Sequence, residues 1–320
     1  MTEDRPGATR RDFVKSAGTA LAASVVSGPV LAAATGKRRY AIVGTGIRAS
    51  GMWGRAVAEG YSDVVEFVGL CDPNRKRLEA SKGMMGVSCP GFGDFDEMCD
   101  AAKPELLMVT TVDAHHSEYI GRALDRGIDV ITEKPMVIDA AQCQDVLEAE
   151  KRNDRKIVVT FNYRYAPKHQ RIKEILLAGD IGRVTSVDFS WYLDVYHGAD
   201  YFRRWHRLRS KGGSLWVHKS THHFDLINWW LAQDPVDVSA FGSLQRYGKK
   251  GPFRSTHCRS CPHTGDCRFH WDITKNDQLV DLYVNAESVD GYHRDGCVFR
   301  EDCDIFDTMN AVVRYGEGTQ

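Results

Sequence analysis

The stretch that decides the fold is Arg39-Tyr40-Ala41-Ile42-Val43-Gly44-Thr45-Gly46-Ile47-Arg48-Ala49. A short apolar run leads into a glycine turn, and residues 52 to 60 then favour a helix, which is the order strand, turn, helix. The first glycine permits the tight turn, the second lets the backbone approach a pyrophosphate, and Ala49 allows close helix packing. The stretch predicts a dinucleotide site that uses Gly44, Gly46, Ile47 and Arg48, although such turns are also common structural connections.

A second apolar run, Val64 to Leu70, ends at Cys71-Asp72. A carboxylate at the end of the second strand accepts hydrogen bonds from an adenosine ribose, so Asp72 favours NAD. Arg75 and Arg77 follow closely and could neutralise a 2′-phosphate, which leaves NADP open. They could equally be solvated helix residues.

Strand and helix patterns then alternate along the chain, which predicts a parallel sheet. The strands are Leu106 to Thr111, Ile128 to Ile131 and Ile157 to Phe161, and the helices are Glu118 to Arg126 and Ala140 to Arg152. We therefore predict an α/β fold, with a doubly wound Rossmann domain that binds NAD(P) over residues 35–162.

Polar residues follow two of these strands, where parallel sheets bind their ligands. Thr110, Thr111 and His116 follow one strand, and Glu133-Lys134-Pro135 follows the next. With the glycine turn and Asp72 in the same order, the chain resembles the Gfo/Idh/MocA family, named after glucose-fructose oxidoreductase, inositol dehydrogenase and rhizopine catabolism. The resemblance covers about residues 38 to 320.

The resemblance implies that Lys134 lies between nicotinamide and substrate, with Thr110, Thr111, His116 and Glu133 at the cofactor. Phe161-Asn162-Tyr163-Arg164-Tyr165 resembles the family's next segment, which implies substrate contacts for Asn162, Arg164 and Tyr165. It also implies that residues 163–320 form an α+β domain whose open, mostly antiparallel sheet covers the active site.

A lysine suits the predicted chemistry because a cation near a hydroxyl oxygen stabilises the developing alkoxide. Partial desolvation would lower the pKa of Lys134 and let it share in proton transfer. In the alternative interpretation, Lys134 forms an ion pair with Glu133, and Pro135 merely ends the strand.

The stretch from Gly212 to Trp230 carries a second group of candidates. On a helix, one stripe would hold His218, His222, Asp225 and Trp229. The stretch resembles the family's Asp-x-Gly-x-His-x-x-Asp signature, with His218 in place of the first Asp and Ser220 in place of Gly. His222 is the first candidate for general base, His218 and Lys219 are further candidates, and Asp225 is expected at the substrate. A zinc site or hydrogen-bonded core histidines are the alternatives.

Aromatic and polar residues alternate in two further stretches, residues 191–197 and 201–206. Sugar sites need such a combination of stacking platform and polar edges, but a half-buried strand or an oligomer interface has the same composition.

Five of the nine cysteines cluster late in the chain, within a predicted insert at about residues 254–303. We consider a structural zinc site formed by Cys258, Cys261, Cys267 and Cys297, or disulfides, which would leave one thiol over. An iron-sulfur cluster is a third possibility, and His257, His263 and His270 are substitute ligands.

The N-terminal stretch Arg10-Arg11-Asp12-Phe13-Val14-Lys15, an Ala-rich run and Ala32-Ala33-Ala34 resemble a twin-arginine export signal over residues 1–34. It predicts a periplasmic or extracellular protein that passes through the twin-arginine machinery already folded around its cofactor. A chance Arg-Arg pair before a soluble helix and an uncleaved membrane anchor are the alternatives.

With 42 Lys+Arg against 43 Asp+Glu, the chain has almost no net charge and therefore no overall positive field that would attract nucleic acid. Thr308 to Tyr315 alternates like a strand and residues 316–319 read as a hairpin turn, so we expect a truncated chain whose C-terminal sheet supports a homo-oligomer.

The leading hypothesis is an exported NAD(P)-dependent oxidoreductase acting on a hydroxyl of a sugar, glycoside or cyclitol. A glycosidase that oxidises its substrate transiently is the second hypothesis, and a non-catalytic sugar-binding or partner protein is the third.

Overall fold

The structure, a computed structural model, describes residues 36–320, so the predicted export signal and its cleavage site lie outside the described residues. The first half is a parallel sheet of six strands in the order β3-β2-β1-β4-β5-β6. The strands are Arg38–Val43 (β1), Val65–Cys71 (β2), Gly91–Phe92 (β3), Leu106–Val109 (β4), Asp129–Thr132 (β5) and Ile157–Val159 (β6). The strand order reverses between β1 and β4, which places the ligand crevice of such sheets there.

Helices cover both faces of this sheet because successive strand residues point to opposite sides. Ala41 and Val43 pack into one core, and Tyr40 and Ile42 pack into the other. The helices are Ala49–Arg55, which has π-type hydrogen bonds, with its continuation Ala56–Gly60 (together α1), then Arg75–Met85 (α2), Phe95–Ala102 (α3), His116–Asp125 (α4) and Ala140–Asn153 (α5). The predicted doubly wound fold is confirmed.

Side-chain caps set the start of three of these helices. Asn74 accepts a hydrogen bond from Arg77 N, Asp94 from Glu97 N, and Asp139 from Gln142 N. Each carboxylate or amide oxygen thus pairs one of the N–H groups that a helix leaves open at its first turn.

The second half combines helices with a two-stranded antiparallel sheet. The helices are Pro167–Ala178 (α6), Val195–Arg203 (α7), Arg209–Gly212 (α8), Leu215–His218 (α9) and Thr221–Leu231 (α10), and the strands are Pro235–Ser243 (β7) and Thr308–Tyr315 (β8). The predicted strand at 308–315 is therefore confirmed. Phe202, Leu215 and Phe299 lie in the core of this half.

The chain between β7 and β8 consists of turns and very short helices. The last three helical pieces before β8 are Asp277–Leu279, Val280–Val284 and Glu287–Asp290. Within residues 36–320, no helix combines the length and the apolar character that crossing a bilayer requires.

Candidate active site

The glycine turn is pressed against the end of β4. Gly44 has φ +84°, and a Cβ built on it would lie 2.7 Å from Thr111 N. Gly44 N also donates to Cys71 O at 2.8 Å. Both the left-handed backbone and the close approach require glycine here, so the turn joins the carboxyl ends of β1, β2 and β4.

Asp72 lies at the end of β2 and is only 5% exposed. Its Oδ2 accepts hydrogen bonds from Thr45 N at 2.9 Å and Thr45 Oγ1 at 3.1 Å, and its Oδ1 accepts one from Asn74 N at 2.8 Å. The carboxylate therefore faces the glycine turn and orders it, in the position predicted for a ribose contact.

One cleft of about 730 Å³ runs along these carboxyl ends, a size typical of sites for whole small molecules. Most of the predicted site residues share it, namely Gly44, Gly46, Ile47, Arg48, Asp72, Thr110, Thr111, His116, Glu133, Lys134, Asn162, His218, Lys219 and His222. Long-range folding thus brings the two predicted groups of candidates together.

Glu133 does not neutralise Lys134. Its Oε1 accepts hydrogen bonds from Arg48 Nε at 2.5 Å and from Trp53 Nε1 at 2.8 Å, so the carboxylate faces the helix after the glycine turn. The alternative interpretation of a Glu133–Lys134 ion pair is wrong, and the ammonium group of Lys134 points elsewhere.

Lys134 Nζ lies 3.1 Å from His218 Nε2 and donates to His218 O, also at 3.1 Å. Burial lowers the pKa of Lys134 to about 8, while the nearby charges of Asp113 and Glu133 act in the opposite direction. A substantial fraction of Lys134 is therefore neutral at mildly alkaline pH and able to accept a proton.

His218 continues the contact to Asp113, with 2.5 Å between His218 Nδ1 and Asp113 Oδ2. Asp113 is 3% exposed, and burial raises the pKa of its carboxyl group. Burial and the charge of Lys134 lower the pKa of His218, so this imidazole is neutral. Lys134, His218 and Asp113 form a continuous chain of contacts, which we call the proton relay.

Asp113 was missed by the sequence analysis, although it lies between Thr111 and His116, both of which were candidates. The available signal was a carboxylate in the loop after β4, at the edge where polar residues were expected. Where the family signature has an aspartate, this chain has His218, and Asp113 supplies a carboxylate from the other domain.

His222 lies in the same cleft and is 4% exposed. Its ring stacks on Tyr163 with 4.0 Å between ring centroids, and its Nδ1 has no hydrogen-bond partner among the described residues. Burial, reinforced by Lys134 and Lys219, lowers the pKa of His222 to about 2. It is therefore a neutral hydrogen-bonding group at physiological pH and a weak base.

The wall opposite the sheet comes largely from α7 and the turn after it. Tyr201 OH lies 2.9 Å from His197 Nε2, and the rings of Trp205 and His206 stack at 3.6 Å. These four side chains line the cleft, and the sugar-site interpretation of residues 191–197 and 201–206 stays a prediction. Trp191 is not among the lining residues of this cleft in the described chain.

Three predicted substrate contacts are not at the cleft. Arg164 forms two hydrogen bonds with Asp225, from Nε at 2.8 Å and from Nη2 at 2.5 Å. Neither residue, nor Tyr165, is among the lining residues in the described chain. Because α9 ends at His218 and α10 begins at Thr221, His218 and Asp225 do not share one continuous helix, whereas His222 and Asp225 are both on α10. A substrate contact for Arg164, Tyr165 or Asp225 stays a prediction.

The zinc prediction is not supported. Cys258, Cys261, Cys267 and Cys297 line one small cavity, but residues 36–320 contain no group of three or more His, Cys, Asp or Glu side chains placed to hold a metal ion. Cys258 Sγ instead accepts a hydrogen bond from Arg203 Nη1 at 3.0 Å. All nine cysteines are free thiols, so the structure forms none of the disulfides that were the alternative.

The turn at Gly44–Ile47, the buried acid at the end of β2 and the adjoining cleft fit a dinucleotide, because Gly44 and Gly46, which have no side chain, line the cleft at the carboxyl ends of the strands. Fold and site thus define an NAD-binding Rossmann domain joined to a second domain. A family described as "Oxidoreductase family, NAD-binding Rossmann fold" matches residues 38–161, and its C-terminal alpha/beta domain matches residues 173–297. The chain belongs to this Gfo/Idh/MocA oxidoreductase family.

Among similar proteins, YteT of Bacillus subtilis (strain 168), which carries the name of an oxidoreductase, is 40% identical over 292 residues, covering 86% of this chain and 68% of YteT. An inositol 2-dehydrogenase of Salmonella typhimurium is 26% identical over 178 residues, covering 55% of this chain and 50% of that protein. The chain thus spans about half the length of this dehydrogenase.

Two solved structures show the same fold. The myo-inositol 2-dehydrogenase from Lactobacillus plantarum has a TM-score of 0.61 at 20% identity, covering 89% of this chain and 68% of that one. The WlbA dehydrogenase from Bordetella pertussis, in complex with NADH and UDP-GlcNAcA, has a TM-score of 0.57 at 23% identity, covering 65% and 63%.

Proposed function

We propose that this protein transfers a hydride between NAD and the hydroxyl-bearing carbon of a sugar, glycoside or cyclitol. The observation that carries the proposal is the position of Lys134, which lies in the cleft, is not paired with Glu133, and begins the proton relay through His218. The inositol dehydrogenase relative and the nucleotide-sugar complex of WlbA support a polyol or sugar as the substrate class.

Bound NAD would supply the hydride acceptor. The residues suited to hold it are the turn at Gly44, Gly46 and Ile47, beside the pyrophosphate, and the carboxylate of Asp72 at the adenosine ribose. All of them line the cleft that also contains Lys134, so a dinucleotide could span the distance from β2 to the relay. Because Gly44 N donates to Cys71 O and Ile47 N donates to Tyr283 OH, the turn would contribute close approach of the backbone rather than these two N–H groups.

The relay provides the proton path for alcohol oxidation. Neutral Lys134 accepts the hydroxyl proton and becomes an ammonium, which can pass a proton to His218 Nε2. His218 in turn passes its Nδ1 proton to the Asp113 carboxylate. Each group ends with one proton received and one released, except Asp113, which keeps the proton.

His222 has a different role in this proposal. Since its low pKa makes it a weak base, we assign it to hydrogen bonding with the substrate hydroxyl rather than to proton removal. The ring of Tyr163 holds the imidazole in place by stacking. His222 is thus a positioning residue beside the lysine.

The test uses the full-length mature protein with NAD and a panel of sugars, glycosides and cyclitols. Cofactor absorbance and mass spectrometry of the products are measured together. A keto product with NADH formation supports the proposal. Glycoside cleavage without net reduction would favour the transient-oxidation glycosidase, and binding without conversion would favour a non-catalytic sugar-binding protein.

We propose further that residues 1–34 direct export through the twin-arginine machinery. The support is the order of Arg10-Arg11, the Ala-rich run and Ala32-Ala33-Ala34 in the sequence. Replacing both arginines by lysine should retain the precursor in the cytoplasm, measured by cell fractionation and by the mass of the mature N-terminus. Export that is unchanged in this variant would overturn the proposal.

A homo-oligomer through the C-terminal sheet stays a prediction. Val238, Phe241 and Val312 on β7 and β8 are exposed apolar side chains, which is the surface expected for such a contact. Sedimentation of the full-length protein measures its mass directly, and a monomer at all concentrations would rule the oligomer out.

A further inference from the structure

The late insert reaches back across the molecule to the adenosine end of the cleft. We call residues 277–292 the clasp. Asn74, which follows Asp72 closely in the chain, donates through Nδ2 to Ala286 O at 3.0 Å and to Asp290 Oδ2 at 2.9 Å. Lys76 Nζ contacts Ser288 Oγ at 3.0 Å. The clasp therefore packs on the start of α2, beside the residue predicted to bind the ribose.

Tyr283 carries the clasp to the glycine turn. Its hydroxyl oxygen accepts a hydrogen bond from Ile47 N at 3.0 Å, and a Cβ built on Gly46 would lie 3.1 Å from the same oxygen. Tyr283 and Tyr292 both line the cleft. The clasp thus forms a wall of the region where the adenosine half of a dinucleotide would bind.

Arg77 is the residue that could have neutralised a 2′-phosphate, but the clasp already engages its guanidinium. Nη2 pairs with Asp290 Oδ2 at 2.7 Å, Nε donates to Leu282 O at 3.3 Å, and Nη1 lies 3.8 Å from Asp72 Oδ1. Its side chain is 12% exposed. The Arg77 guanidinium is therefore already paired with groups of the protein itself.

The remaining charges at this end favour an uncharged ribose. Asp72, Asp290 and Arg77 line the cleft, which gives two carboxylates against one guanidinium. Arg75 Nη1 donates to Gly91 O at 2.8 Å, and Arg75 is not among the residues that line the cleft in the described chain. A 2′-hydroxyl can donate to a carboxylate, whereas a 2′-phosphate would be repelled by both.

We propose that Asp290 is a specificity-determining residue that makes the cleft select NAD over NADP, by holding Arg77 and by adding a second carboxylate at the ribose. This inference rests on the proposed function, since it assumes that the cleft binds a nicotinamide dinucleotide. A role in cofactor choice is thus assigned to an insert whose cysteines alone had suggested a zinc site, disulfides or an iron-sulfur cluster.

The test measures dissociation constants of NAD⁺ and NADP⁺ by isothermal titration calorimetry on the full chain. Wild type should prefer NAD⁺. Asp290→Asn should reduce that preference by about tenfold, mainly through tighter NADP⁺ binding, because it removes one charge and frees the guanidinium. Asp281→Asn is the matched control, since Asp281 lies on the clasp, is exposed, accepts a hydrogen bond from Asn285 and does not line the cleft in the described chain.

A folded Asp290→Asn protein whose NAD⁺/NADP⁺ ratio equals that of wild type would overturn the inference while leaving the proposed function intact. Circular dichroism establishes the folded state. If Asp290→Asn does not fold, Arg77→Ala gives the second test. Its NADP⁺ affinity should not fall, because Arg77 does not bind the phosphate in the wild-type protein, and a large loss would contradict the assignment. Absence of binding by either cofactor in wild type would overturn both proposals.

Discussion

At the scale of single residues, the site depends on Lys134, which has two carboxylates nearby but forms a direct ion pair with neither. Glu133 faces Arg48, and Asp113 reaches Lys134 only through His218. A direct ion pair would stabilise the ammonium form strongly, whereas here burial lowers the pKa of Lys134 to about 8 against the weaker raising effect of Asp113 and Glu133. The lysine can therefore exchange a proton near physiological pH.

This arrangement predicts the pH dependence of alcohol oxidation. The rate should rise as pH passes through about 8, because oxidation requires neutral Lys134. Asp113→Asn removes a negative charge that raises the pKa of Lys134, so the rise should move to lower pH. The maximal rate should fall about tenfold or more, because the relay loses its proton acceptor.

Steady-state kcat measured across the pH range checks both effects. Asp145→Asn is the control, since Asp145 is exposed on α5 and is not among the residues that line the cleft in the described chain. A profile of Asp113→Asn that superimposes on wild type would show that the carboxylate does not act on Lys134.

Lys134, His218 and His222 could be predicted from the sequence, but the contacts that link Lys134 through His218 to Asp113 could not. Asp113 and His218 are 105 residues apart, and no local pattern pairs them. The family signature led to Asp225 as the acidic partner at the substrate, and the structure gives that residue to Arg164 instead. The sequence therefore predicts which residues are candidates for the site, whereas the contact partner of each candidate depends on the folded geometry.

At the scale of elements, the turn between β1 and α1 requires glycine at position 44 for two reasons, its left-handed backbone and its close contact with Thr111. Gly44→Ala should lower the free energy of unfolding by about 1–2 kcal/mol for the left-handed backbone alone, and more for the contact with Thr111. It should also abolish NAD⁺ binding, because the turn must open. Urea unfolding and calorimetric titration measure the two effects.

Gly51→Ala, about two helical turns after Gly44 on α1, is the matched control, because a Cβ built on Gly51 meets no atom within 4 Å. It should keep both stability and affinity. Normal NAD⁺ binding by Gly44→Ala would mean that the cofactor does not use this turn.

The ion pair between Arg164 and Asp225 connects the turn after β6 to α10. Asp225→Asn should lower the free energy of unfolding by about 1–3 kcal/mol, because a buried charged hydrogen bond is lost, and should leave NAD⁺ affinity unchanged. Urea denaturation compares it with Asp180→Asn, which changes an exposed carboxylate. Unchanged stability with weakened substrate binding would restore Asp225 to the substrate site.

Element positions in the first half follow the apolar pattern closely, because buried parallel strands are continuous apolar runs. The strand predicted from Val64 to Leu70 is Val65–Cys71 in the structure, and the helix predicted from Ala140 to Arg152 is Ala140–Asn153. Gly91–Phe92 was not predicted, since a two-residue strand leaves no periodic signal.

At the scale of the whole molecule, the second half contributes to the cleft twice. Helices α7 and α9 supply one wall of the cleft and His218, and the clasp supplies the wall beside the glycine turn, where we propose that the adenosine binds. The contact between Ile47 and Tyr283 spans 236 residues of chain. The cysteine pattern drew attention to the insert, but its packing on the Rossmann domain has no sequence signature.

The most direct measurement of the central claim is single-turnover NADH formation by the full-length protein carrying Lys134→Met, with a substrate from the panel. Hydride transfer should fall by about 100-fold or more with NAD⁺ affinity retained, because the proton acceptor is lost while the glycine turn is intact. Lys156→Met is the control: it replaces an exposed lysine and should form NADH at the wild-type rate. Turnover of Lys134→Met at the wild-type rate would contradict the account.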